Sequence, residues 1–253
     1  MFTQLKQCDN PPPVHEGYGC TSYLWNYELI NLELFNSDPA IIVYRGLVPK
    51  DYIESFIVDI TAEQKKAQDN SNGSRPTAEI TMDHTAKAGA ARVFRRLSRF
   101  IPFIDFTSSD PWQVLVFKEG GHFAPRHEYL KVNASGEQDE LTKTLGNRFA
   151  TFRIMLKEPE KGGEHVFPLI RSTYKLELGD AMIWTNMTPQ KQKEHLMMHG
   201  DCPVKKGEKI TATLRLRERR QYLVMSIQRN YYDYNMLVTP KLKFLGVTPI
   251  RNW

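Results

Sequence analysis

His199-Gly200-Asp201-Cys202-Pro203-Val204-Lys205-Lys206-Gly207-Glu208-Lys209 is the stretch whose reading decides the fold. The imidazole at its head can ligate a metal through one ring nitrogen. Lys206-Gly207 is a turn signal, so Lys209 sits across a turn between two strands. An ammonium placed there can hold the far carboxylate of a small dianion bound to the metal. Upstream lies Gly120-Gly121-His122-Phe123-Ala124-Pro125-Arg126-His127-Glu128-Tyr129, dense in polar groups, and between the two sits Gly162-Gly163-Glu164-His165-Val166-Phe167-Pro168. Three blocks in this order point to one metal-centred pocket in which one ligand position is altered.

The surroundings of these blocks read as strands. Val114–Phe117, Phe149–Leu156, Glu164–Phe167, Tyr174–Leu178, Met182–Trp184 and Lys209–Leu216 are apolar or alternating runs. Gly120-Gly121, Gly146-Asn147, Gly162-Gly163, Gly179-Asp180 and Lys206-Gly207 separate them, a punctuation that suggests a sandwich or jelly roll. The N-terminal third is different. Ile41–Tyr44 is a strand after the break at Ser37-Asp38-Pro39. Pro49 opens a helix with Tyr52, Ile53, Phe56, Ile57 and Ile60 at helical spacing. Residues 67–78 read as a loop. Ala90, Phe94, Leu97 and Ile101 form a second helical stripe ended by Pro102, with Arg92, Arg95, Arg96 and Arg99 as a solvated face. The expected class is α+β dominated by β: a double-stranded β-helix (jelly roll) core with N-terminal packing helices. Residues 1–38 read as a partly irregular leader, 39–221 as the domain that carries the blocks, and 222–253 as a C-terminal extension.

Composition excludes several alternatives. With 253 residues, 41% hydrophobic and 25% charged, the chain has the make-up of a globular protein rather than a disordered one. The net charge of +5 is spread out. Its one cluster, Arg215, Arg217, Arg219 and Arg220 around Glu218, reads as a solvated strand end, so no nucleic-acid partner is expected. No apolar run is long enough for a membrane span. No h-region follows Lys6, so no signal peptide is visible and the chain reads as leaderless or as part of a longer gene product. Asn72-Gly73-Ser74, Asn133-Ala134-Ser135 and Asn186-Met187-Thr188 have the form of glycosylation acceptors. Cys8 and Cys20 read either as a short disulfide loop or as two reduced thiols. Cys202 reads as a small buried apolar residue, Trp112, Trp184 and Phe117 as core, Asp180 as a turn residue beside Gly179, and His84 and His15 as structural.

A jelly roll suits a mononuclear metal centre of two histidines and a carboxylate with an open face. On these blocks the region from about Pro39 to Gln221 resembles the catalytic domain of the prolyl 4-hydroxylase alpha subunit family. Members carry Gly-Gly-x-Tyr-x-Pro-His-x-Asp, matched by Gly120 to Glu128. A later Gly-Asn-Arg-x-Ala-Thr is matched by Gly146 to Thr151, and Gly-Gly-x-Thr-x-Phe-Pro by Gly162 to Pro168 with His165 in place of Thr. Gly179-Asp180-Ala181 matches a Gly-Asp-Ala, His199 to Lys209 matches His-x-x-Cys-Pro-Val followed by Gly-x-Lys, and Glu218-Arg219-Arg220-Gln221 resembles the strand exit. The resemblance implies Fe(II), 2-oxoglutarate and the reductant ascorbate, His199 as distal iron ligand, and Lys209 on the distal carboxylate of 2-oxoglutarate. It also implies the endoplasmic reticulum lumen or secretory pathway, and places Cys8 and Cys20 roughly where the family has a disulfide.

The proximal pair departs from the pattern. Arg126 stands where the family has His, and Glu128 where it has Asp. Glu128 keeps a hard oxygen donor. Arg126 has no free lone pair and stays protonated, and held about 4 Å from a divalent ion it would repel it by ~8 kcal/mol at an effective dielectric near 20. Surrogate ligands are His127, which strand alternation points to the opposite face, and His165; His122 is a third, just before Pro125. No catalytic group beyond the metal centre is expected. Two functions follow. One is a 2-oxoglutarate-dependent dioxygenase that hydroxylates a peptidyl proline of a secreted, collagen-like chain, alone or with a partner subunit. The other is a pseudoenzyme that keeps the fold as a peptide- or partner-binding module.

Overall fold

A computed structural model describes residues 7–9, 19–68, 76–131, 140–225, 232 and 234–238. In chain order the elements are β1 (Gly19–Trp25), β2 (Glu28–Ser37), β3 (Ala40–Arg45), α1 (Lys50–Gln68), β4 (Thr77–Met82), α2 (Ala88–Phe100), β5 (Trp112–Phe117), β6 (Phe123–Arg126), α3 (Glu140–Leu145) and β7 (Arg148–Lys157). There follow β8 (Lys161–Gly162), β9 (His165–Phe167), β10 (Ser172–Tyr174), β11 (Ala181–Thr185), β12 (His199–Asp201), β13 (Val204–Lys206), β14 (Lys209–Arg217), α4 (Tyr222–Met225) and α5 (Asn235–Val238). An eight-stranded sheet runs β1-β2-β3-β11-β7-β14-β5-β4, and a four-stranded sheet runs β10-β9-β12-β6. The fold is the expected one: β-dominated α+β with a jelly-roll core.

Strand alternation decides what each face carries. On β14, Ile210, Ala212, Leu214 and Leu216 join the main hydrophobic core. Lys209, Thr211, Thr213, Arg215 and Arg217 therefore project from the other face, and all five are buried. On the neighbouring β7, Phe152, Ile154 and Leu156 enter that same core, while Arg153 projects opposite and meets Thr213 at 3.3 Å. The apolar face is covered by α1 and α2: Phe56 packs edge-on against Trp112 at 5.3 Å, and Phe94 at 6.3 Å. The helices approach closely because a Cβ on Gly89 would fall 2.3 Å from the Ser55 carbonyl oxygen.

Several expectations change. Residues 19–37, assigned to the leader with Tyr23 to Phe35 mostly extended, pair as β1 and β2 and continue the large sheet beside β3. Thr77 and Ala78, read as the end of a loop, open strand β4 against β5. The Tyr174–Leu178 strand shifts to Ser172–Tyr174. Arg96 is buried rather than solvated, held by the Leu47 carbonyl and Glu28. Of the two readings of the C-terminal extension, wrapping back onto the core or fraying, the described residues follow the first: Leu223, Tyr232 and Leu237 join the core.

Cys8 is disulfide-bonded to Cys202, and Cys20 is free and exposed. This corrects both the Cys8–Cys20 pairing and the apolar reading of Cys202: β12 brings Cys202 to the N-terminal segment, which sequence distance conceals. Asn186 is buried and exchanges hydrogen bonds with Thr151, so it is no glycosylation acceptor in the folded chain. Asn72, Asn133 and His15 lie outside the described residues. No described helix is long and apolar enough to cross a membrane.

Candidate functional site

The inward row of β14 starts with Lys209. Its Nζ donates to Asp201 Oδ1 at 2.6 Å and to the Gly163 carbonyl at 2.5 Å. Gly163 has φ +75, and a Cβ there would come within 3.2 Å of Lys209 Cδ. Glycine thus lets the backbone reach the amine in a left-handed conformation. From β7, Arg153 Nη1 reaches both oxygens of Asp201, at 3.0 and 2.9 Å. Asp201 and Lys209 are at most 1% exposed. Burial pushes the Asp201 carboxyl up, but Arg153 and Lys209 outweigh it and hold it well below the usual carboxylate range. Burial lowers the Lys209 ammonium, with Asp201 opposing. The ammonium that sequence assigns to a co-substrate is paired with the chain's own carboxylate.

Two imidazoles lie beside this cluster. His199 Nδ1 is 3.0 Å from the Met197 carbonyl. A carbonyl only accepts, so Nδ1 carries the proton and the Nε2 lone pair faces buried space without a partner. His165 is the reverse case. Arg153 Nη1 lies 2.8 Å from its Nδ1, and a guanidinium only donates. Nδ1 therefore accepts, and the proton rests on Nε2, which is also unpartnered. Asp201 Oδ1 is farther from that nitrogen, at 3.3 Å. Burial first, and then Arg153, pull His165 down to about 3 and His199 to about 4. The rings sit 5.4 Å apart, and Trp184 packs 5.0 and 4.7 Å from them.

At the other end of the same row, Arg215 donates to Glu128 Oε2 at 2.5 Å and to Oε1 at 3.2 Å. Arg148 Nη1 reaches Glu128 Oε2 at 3.0 Å, and Arg126 Nη2 reaches Oε1 at 2.9 Å. Arg148 and Arg217 share Asp110 beyond. Burial raises the Glu128 carboxyl, but Arg215 and then Arg126 bring it to about 2. Arg126 turns its guanidinium onto this carboxylate and over the Phe123 ring, 4.1 Å away.

Arg126 and His199 are backbone partners across β6 and β12, and Glu128 and His199 are close enough to shift each other's ionisation. His127 points elsewhere and stacks on His195 at 5.8 Å. His122 is exposed, with Nδ1 3.3 Å from the Gly120 carbonyl. Among the described residues no group of three or more His, Cys, Asp or Glu could hold a metal. The donor set does not fit Fe(II): the carboxylate is enclosed by three guanidiniums, and the lone pair of the His165 imidazole is committed to Arg153. Nor does it fit 2-oxoglutarate, because Asp201 occupies Lys209 and the cavity over them is about 10 Å³, room for about one water.

Asp201, Arg153, Arg148, Arg215 and Asp110 carry no role in the sequence alone. Arg215 and Arg217, expected at a solvated strand end, are buried in ion pairs. The signal was present: Lys209, Thr211, Thr213, Arg215 and Arg217 alternate with apolar residues, which places them on one face.

No protein-family model matches the chain. Curated proteins do. A prolyl 4-hydroxylase subunit alpha-2 of Caenorhabditis elegans is 27% identical over 203 residues, 76% of this chain and 36% of the worm protein. A probable prolyl 4-hydroxylase 10 of Arabidopsis thaliana is 26% identical over 214 residues, 74% of this chain and 71% of the plant protein. The chain thus spans about a third of the worm subunit's length. Among solved structures, a viral collagen prolyl hydroxylase from Paramecium Bursaria Chlorella virus-1, in its 2OG complex, superposes with TM-score 0.52 at 21% identity, covering 70% of this chain and 94% of that one. These findings bear out the resemblance and the fold. They also support the dioxygenase leaning.

Proposed function

We propose that this chain, a divergent relative of the prolyl 4-hydroxylase catalytic domain, is a binding module on a dioxygenase fold that engages a peptide or a partner chain without iron-dependent turnover. One observation carries the reading: Glu128, the carboxylate at the ligand position, is buried and paired with Arg126, Arg148 and Arg215. A divalent cation there meets three positive charges and one negative. Lys131 and Lys193 lie close enough to His127 to disfavour its protonation, a local basic patch that favours an acidic ligand. The Cys8–Cys202 disulfide supports an oxidising compartment such as the endoplasmic reticulum lumen. The test is anaerobic addition of Fe(II) and 2-oxoglutarate to the purified chain. The expected result is no visible charge-transfer band and no iron retained after gel filtration; a band with one iron per chain would overturn the reading.

A second reading is favoured by His199, whose buried Nε2 lone pair has no partner while Nδ1 is fixed by Met197. A metal-ligating histidine needs that arrangement. Under it the chain is an ascorbate-supported prolyl hydroxylase of a collagen-like or other secreted chain, with or without a partner subunit. Iron retention in the same experiment distinguishes the two.

A further inference from the structure

Lys209 and Arg153 frame a carboxylate site, and it is full. Lys209 Nζ and Arg153 Nη1 converge on one carboxylate, with the Gly163 carbonyl as a further partner of the ammonium. That carboxylate belongs to Asp201, two residues after His199 on the same short strand, and all three charged side chains are buried.

We infer that Asp201 is an intramolecular substitute for a bound carboxylate ligand, so that the Lys209–Arg153 slot of the native chain takes no 2-oxoglutarate or other small carboxylate until Asp201 is removed. The inference deepens the binding-module reading and rests on it only for the identity of the missing ligand. The charges themselves argue for it. Two buried cations need at least one anion. A covalently attached carboxylate supplies it at an effective concentration that free metabolites do not reach. The neighbouring imidazoles cannot supply it, being neutral or cationic. The disulfide at Cys202 fixes the strand next to Asp201, so the carboxylate has little room to leave.

The test is done in metal-free buffer containing a chelator, which keeps it independent of iron binding. Thermal unfolding of the native chain and of Asp201→Gly is followed in 2-oxoglutarate, succinate, acetate and chloride at equal ionic strength. The native chain is expected to show the same Tm in all four. Asp201→Gly is expected to unfold at lower temperature in chloride and to regain Tm saturably with carboxylates, the dicarboxylates acting at tenfold or more lower concentration than acetate. If Asp201→Gly does not fold in chloride, refolding yield in 2-oxoglutarate against chloride reads the same effect. As a second measurement, Lys209→Met/Asp201→Asn is expected to lose less Tm than the sum of its single variants. Saturable 2-oxoglutarate binding by the metal-free native chain overturns the inference, as does an Asp201→Gly chain indifferent to carboxylates. Iron uptake by the native chain would overturn the binding-module reading alone.

Discussion

Lys209 and Arg215 share the inward-facing row of β14, and each neutralises a carboxylate from another strand or loop: Asp201 for Lys209, Glu128 for Arg215. One strand thus supplies a buried cation to each of two buried carboxylates.

Removing a partner from the buried half costs more than removing one from the rim. Arg215→Ala leaves Glu128 with less compensation and Gln113 without its donor, and is expected to destabilise by about 3–5 kcal/mol. Arg126 is 42% exposed, so Arg126→Ala is expected to cost about 0–1 kcal/mol. Urea unfolding of both variants checks the contrast, and equal losses would contradict the burial argument.

Arg126→His places an imidazole across from His199 on β6 and removes one of the three cations at Glu128. Cobalt(II) uptake, followed by its visible absorption, is expected to rise from none in the native chain to a measurable fraction in the variant. A variant that stays metal-free would place the obstacle at Arg148 and Arg215 instead.

The buried histidines predict a pH dependence. His165 and His199 are held at about 3 and about 4, against about 6.5 in an unfolded chain. Below about pH 6.5 the unfolded chain takes up protons that the native one refuses. The stability they contribute is therefore complete above that pH and is lost as pH falls toward about 4 and then 3. Near pH 5 these rings take up about two protons on unfolding. Glu128 adds stability present above its ordinary range and lost as pH falls through about 2. Urea unfolding at pH 7 and pH 5 should show the difference, and His165→Gln should flatten it.

The disulfide gives a fourth prediction. Cys8→Ser opens a bridge that closes 194 residues of sequence separation and is expected to cost about 2–5 kcal/mol. Cys20→Ser, at an exposed free thiol, is expected to cost nothing measurable. Equal effects would point to the Cys8–Cys20 pairing.

Much of the fold was legible because strand runs and glycine turns are local signals. Phe149–Leu156 and Lys209–Leu216 fall inside β7 and β14. That Arg126 is no ligand was legible too, since a guanidinium has no free lone pair whatever surrounds it. Asp201 was not, although it lies inside the opening stretch. A carboxylate between a histidine and a cysteine has no role until β7 delivers Arg153 and β14 delivers Lys209. Arg215 and Arg217 were misread for a related reason: four arginines close in sequence look like a solvated surface, and only alternation against a second sheet turns two of them inward. The disulfide was hidden because its partners are joined by tertiary structure alone.

The most direct measurement is release of labelled carbon dioxide from 1-carbon-labelled 2-oxoglutarate by the native chain in air, with Fe(II) and ascorbate, with and without a proline-rich peptide. A pocket that supplies its own ions predicts release no greater than in protein-free buffer under either condition. Multiple turnovers per chain, lost on Lys209→Ala, would contradict it.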